Sequence, residues 1–164
     1  MTSVNIHASC VVCAGGARTF GAPDDAGVLL VGQSGSGKSD LALRLIAMGA
    51  LLVADDRCEI FFDGSTLRAR APRGISGMME VRGLGIVAVP FASDARISLV
   101  VHAANTVERL PEYRRYRPPA PLAVPESLQP PELALDPFAA SAAAKVLAAV
   151  AAFEKQLFRE FIPL

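Results

Sequence analysis

The octapeptide Gly32-Gln33-Ser34-Gly35-Ser36-Gly37-Lys38-Ser39 decides how this chain is read. It fits the phosphate-binding pattern G-x-x-x-x-G-K-[ST] at every fixed position. Gly27-Val28-Leu29-Leu30-Val31 before it is the short apolar run of a buried strand. Asp40 to Met48 after it places Leu41, Leu45 and Met48 on one face of a helix. In a strand, glycine loop, helix unit the backbone N–H groups converge on a polyphosphate, and the helix N-terminus adds about half a positive charge. Lys38 would reach the β- and γ-phosphates, and the Ser39 hydroxyl would ligate Mg²⁺. The stretch predicts a nucleoside triphosphate site at Gly32, Gln33, Ser34, Gly35, Ser36, Gly37, Lys38 and Ser39.

Outward from this unit, Ile6 to Cys13 reads as a strand and residues 14–26 as a Gly/Pro/Asp turn region. Gly49 is a helix C-cap, and Leu51-Leu52-Val53-Ala54 is a short buried strand ending in Asp55-Asp56. Residues 59–62 and 66–71 flank Asp63-Gly64, a hairpin signal. Residues 85–89 and 97–101 are further β-rich runs. Prolines from Pro111 to Pro137 then exclude regular helix and central strand, predicting an irregular segment over about 111–137. A closing helix is expected over about 138–161.

The 164 residues suit one α/β domain, 1–164, strand-rich with few helices. Sixteen basic residues balance sixteen acidic ones, so broad attraction to nucleic acid or membrane is not expected, although Arg114, Arg115 and Arg117 cluster. Ala139 to Phe153 is mostly Ala, carries Lys145 and falls short of the roughly 20 apolar residues of a membrane span. Residues 1–5 lack a signal-peptide pattern, so a cytoplasmic location is expected. Cys10 and Cys13 form a lone C-x-x-C without a second Cys or His pair, which reads as packing rather than redox or zinc chemistry.

Asp55-Asp56 stand at a strand end beside the phosphate loop, where phosphate-loop enzymes hold Mg²⁺. Adjacent strand carboxylates point to opposite sides, so one can face a metal and the other an acceptor. Glu80-Val81-Arg82-Gly83-Leu84-Gly85-Ile86 is a second cluster, read by itself as a glycine-bearing surface turn.

Taken in this order, the pieces resemble the HPr kinase/phosphorylase family. The carrying residues are His7, the Gly27–Leu43 stretch, Leu52-Val53-Ala54-Asp55-Asp56, Ala71-Pro72, Glu80 to Val87 and Glu108-Arg109-Leu110. The resemblance implies a P-loop kinase-like fold, related to the phosphoenolpyruvate carboxykinase type, and an ATP- and Mg²⁺-dependent kinase acting on a serine of an HPr-type phosphocarrier. It gives Lys38 the phosphates, Ser39 and Glu80 the metal, and Asp56 the acid–base role. It places His7 and Arg109 on the transferring phosphate. Asp55 assists with metal or orients Asp56. It implies a homo-oligomer, hexameric in the family. Full-length members carry an N-terminal domain that this chain is expected to lack. Residues 118–136 replace the family's basic glycine-containing loop associated with dephosphorylation, so kinase activity is the better supported direction. The competing readings are a small-molecule kinase and a regulatory nucleotide-binding module without turnover.

Overall fold

A computed structural model describes residues 1–15 and 20–159. Its elements are β1 (Ser3–Val12), β2 (Ala26–Val31), α1 (Lys38–Ala47), β3 (Leu51–Ala54), β4 (Arg57–Phe62) and β5 (Leu67–Arg70). They continue with β6 (Met78–Val81), β7 (Gly85–Ala88), β8 (Asp94–Ala103), β9 (Arg114–Arg115), β10 (Pro131–Leu135) and α2 (Ala142–Glu154). The domain is α/β and strand-rich with two helices among the described residues, the architecture expected from sequence.

The long strands β1 and β8 organise the sheet because each changes partner along its length. The first half of β1 pairs antiparallel with β4 and the second half with β2 and β3. β8 pairs antiparallel with β5 at its start, and parallel with β2 and then β10 further on. These pairings close β2, β1, β4, β5 and β8 into a ring, with β10 and β9 extending from β8.

The pleat of β2 explains its unbroken apolar run. Leu29 points into the ring with Cys10, Cys58, Ile60, Leu67 and Val100. Val28 and Leu30 point the other way, onto Leu41 and Leu45 of α1 and Val146, Leu147 and Val150 of α2. A strand buried on both faces needs apolar residues at both parities. α1 ends as expected at Gly49: with φ 107°, its N–H donates to Ile46 O (2.9 Å) and that of Ala50 to Leu45 O (3.1 Å). These are the paired bonds of a left-handed glycine cap.

Three expectations need correction. The proline-rich stretch 111–137 is not wholly irregular, because β9 and β10 lie inside it and β10 pairs parallel with β8. Pro131 is only the first residue of β10, and the ladder runs on through the proline-free residues after it. The helix expected over 138–161 is the shorter α2; Glu160 and Phe161 lie outside the described residues. Glu80 to Ile86 is more than a turn: β6 and β7 form a separate two-stranded sheet, joined through Gly83 (φ 89°) with Gly85 at φ 112°.

Candidate active site

The phosphate loop leaves β2 at Gly32 and enters α1 at Lys38. Its glycines serve distinct needs. Gly35 and Gly37 have φ of 77° and 94°, which side-chain-bearing residues rarely adopt. A Cβ at Gly32 would stand 2.7 Å from Ser36 Oγ and 2.9 Å from Ala103 Cβ. A Cβ at Gly35 would meet nothing within 4 Å, so the crown of the loop is open to approach. Gly37, the N-cap position of α1, offers no side chain to cap the helix, and the first N–H groups of a helix have no intrahelical partner and suit an anion.

Lys38 is buried, and its Nζ donates to Gly32 O and Gln33 O, both at 2.8 Å. Burial lowers its pKa; Asp56 and Asp55 act against that shift. Ser39 Oγ donates to Asp55 Oδ1 at 2.7 Å, joining the loop to the end of β3. The same Asp55 oxygen accepts the hydroxyl of the fully buried Ser9 at 2.9 Å, and Ser9 Oγ in turn accepts Asp56 N–H at 3.4 Å. Ser9 was not singled out in the sequence. Its signal was the period of two: Ser9 continues the face of β1 that carries the polar residues Ser3, Asn5 and His7.

Between β3 and β4 the chain turns within three residues, Arg57 N–H donating to Asp55 O at 2.7 Å. Asp56 sits at the tip with φ 63°, a conformation that Asp tolerates better than most residues. The two carboxylates do diverge, but this turn separates them rather than strand alternation. Asp55 faces the loop serine, and Asp56 Oδ1 faces outward to His7 Nε2 at 2.6 Å. Both partners of that pair are solvent-accessible, with side chains 43% and 67% exposed. His7, Lys38, Ser39 and Asp56 are thus gathered along the C-terminal end of β2, with Asp55 and Ser9 tying them together.

Glu80 is exposed on β6 and Arg109 is exposed in the loop after β8; neither side chain makes a hydrogen bond or ion pair among the described residues, so no contact ties either to this group. The carboxylate beside Ser39 is Asp55. Among the described residues no three His, Cys, Asp or Glu side chains come together as a metal cluster. The oxygen pair Ser39 Oγ and Asp55 Oδ1 does suit a hard cation such as Mg²⁺, which keeps several of its waters and takes few protein ligands. The three cysteines are free and buried. Contact with Cys58 and burial hold the Cys10 thiol well above its ordinary pKa, and burial raises Cys13 to about 11, so both are inert packing groups.

A glycine loop thus opens a helix, with a hydroxyl–carboxylate pair beside it and a His–Asp pair at its rim. Residues 24–116 match the family described as the HPr serine kinase C-terminal domain, and the chain belongs to that family. It is 42% identical over 87 residues to the HPr kinase/phosphorylase of Lacticaseibacillus casei (strain BL23), covering 48% of this chain and 27% of that protein. It is 45% identical over 91 residues to HPr kinase/phosphorylase 1 of Oceanobacillus iheyensis, covering 51% of this chain and 29% of that protein. The matched stretch is therefore less than a third of these relatives' length. In three dimensions the chain is similar to the Hpr(Ser) kinase/phosphatase from Coxiella burnetii, with a TM-score of 0.70 at 20% identity over 94% of this chain and 98% of the other. That likeness concerns the fold.

Proposed function

We propose that this chain is a P-loop kinase-like catalytic domain that moves the γ-phosphoryl group of ATP, with Mg²⁺, to a serine of an HPr-type phosphocarrier. The observation that carries the reading is the hydrogen-bonded His7–Asp56 pair at the rim of a loop whose Lys38 and Ser39 stand ready for phosphate and cation. The names of the family relatives supply the acceptor.

Phosphoryl transfer is catalysed mainly by positioning and electrostatics. The loop N–H groups and Lys38 hold the β- and γ-phosphates, and Ser39 with Asp55 would hold the cation. Mg²⁺ supplies charge neutralisation across the phosphate oxygens when bound. Asp56 accepts the proton of the acceptor serine as its oxygen forms a bond to the γ-phosphorus, while the bond to the β-phosphate oxygen breaks and ADP leaves. His7 fixes the Asp56 carboxylate by occupying Oδ1, which leaves Oδ2 for the acceptor. Phosphorolysis runs the same groups in reverse. The assignment of Glu80 to the metal and Arg109 to the transferring phosphate rests on their sequence motifs alone. A homo-oligomer, hexameric by family resemblance, and a cytoplasmic site of action belong to the same reading. No helix among the described residues is long and apolar enough to cross a membrane.

The test is intact-mass and peptide mapping of an HPr-type carrier after incubation with MgATP and either wild type or Lys38→Ala. One phosphate on a serine, dependent on Lys38, is the expected result. Confirmed MgATP binding without transfer to the carrier would overturn the acceptor assignment. Excess inorganic phosphate added to the phosphorylated product then tests the reverse reaction.

A further inference from the structure

The turn between β10 and α2 lies beside the phosphate loop and is built with unusual care for an exposed segment. Arg44, on α1, reaches it across the fold. Its Nη2 donates to Pro137 O and its Nη1 to Ala139 O at 3.3 Å, so the carbonyls on both sides of Phe138 are held. Asp40 fixes the same guanidinium through Nε at 3.0 Å. The Phe138 N–H itself donates to Asp136 Oδ1 at 2.9 Å. The backbone of Phe138 is thereby pinned from three directions.

The side chain so positioned is not buried. Phe138 is 65% exposed. Its ring edge abuts the last glycine of the loop: Cζ and Cε1 lie 3.1 and 3.2 Å from where a Cβ on Gly37 would stand, and Pro137 Cγ lies at 3.1 Å. Burial therefore does not account for the bonds that hold this turn. The location suggests what does. β2, β8 and β10 run parallel, and the turn follows β10 at its C-terminal end, as the phosphate loop follows β2. Ligands of α/β sheets bind outside the carboxyl ends of parallel strands. A nucleotide held by its phosphates at Gly32–Ser39 extends its nucleoside away from the loop, and a pinned, exposed aromatic ring beside Gly37 offers a stacking surface.

We propose that Phe138 is the platform on which the nucleotide's base stacks, and that Arg44 is the positioning residue that presents it. The inference rests on the nucleotide reading of the loop given above. Every base has a π-face, so the platform adds affinity for a nucleoside over bare polyphosphate while discriminating little between bases.

Titration calorimetry with MgATP and with magnesium inorganic triphosphate separates the contributions. Wild type should bind MgATP more tightly than inorganic triphosphate. Phe138→Ala should weaken MgATP about tenfold or more, within the usual worth of base–aromatic stacking, and leave triphosphate binding unchanged. Phe138→Trp should retain MgATP affinity, and because the chain contains no other Trp, its fluorescence should change on MgATP addition but not on triphosphate addition. Equal loss of both ligands in Phe138→Ala would show that the ring only shapes the loop through Gly37, and would overturn the proposal. Unchanged MgATP affinity in that variant would overturn it equally. A wild type that binds triphosphate and ATP equally well refutes the platform but not the phosphate loop, whereas one that binds neither refutes the nucleotide reading itself.

Discussion

At the residue scale, Asp56 combines two demands that substitution can separate. Its φ of 63° is a backbone requirement, and its hydrogen bond to His7 is a chemical one. Asp56→Gly meets the first and fails the second, so it should be at least as stable as wild type and inactive. Asp56→Ala fails both and should lose up to about 1 kcal/mol of stability, because Ala lacks the short polar side chain that eases Asp into the left-handed region. Asp56→Asn keeps the conformation, and transfer should still fall roughly 10²–10⁴-fold with MgATP affinity retained. Thermal melts, calorimetry and a phosphotransfer assay on the three variants check this. An Asn variant that transfers at the wild-type rate would remove Asp56 from the acid–base role.

At the element scale, two local devices hold the strands and helix that frame the site. Gly49 closes α1 at φ 107°, so Gly49→Ala should cost about 1 kcal/mol and lower the melting temperature, with nucleotide affinity kept. Unchanged stability would mean that the cap is not needed. Glu59 of β4 faces Arg70 directly across the β4–β5 ladder and accepts its guanidinium twice, at 2.8 and 2.9 Å. That pairing, helped by Ser3, lowers the Glu59 pKa from 4.5 to about 2. The folded-state value lies below the unfolded one, so the pair's contribution is complete above about pH 4.5 and is lost as pH falls toward about 2. The Arg70 side chain is 43% exposed, and solvent screening limits the effect to the order of 1 kcal/mol. Acid unfolding of Glu59→Gln should lack this component between those limits; an identical pH dependence in wild type and variant would refute it.

At the scale of the whole molecule, the ring of β2, β1, β4, β5 and β8 and the two helices form one body, while β6 and β7 pair only with each other. The hairpin is attached through buried Met79 and through Phe91 packed on Gly77, and it leaves Leu84 and Ile86 exposed. Two strands alone are marginal, so native-state hydrogen exchange should show β6–β7 amides opening at lower free energy than those of β1, β2 and β8. Equal protection throughout would show that the hairpin folds with the core. The hairpin that carries Glu80 is joined to the rest of the domain by packing rather than by strand pairing. What the sequence alone determined was local. The spacing of Gly32, Gly37, Lys38 and Ser39, the apolar run of β2 and the turn signals at Gly49 and Asp63-Gly64 are encoded by backbone conformation and near-neighbour periodicity, which act over a few residues. Strand β10 was hidden among prolines because its partner, β8, lies far away in the chain, and no local pattern reports that pairing. Only the tertiary structure decided that Ser9 joins Asp55, that His7 meets Asp56 and that Arg44 holds the turn of Phe138. Each of these joins residues dozens of positions apart, whose approach depends on how the ring of strands closes rather than on anything their neighbours in sequence prefer.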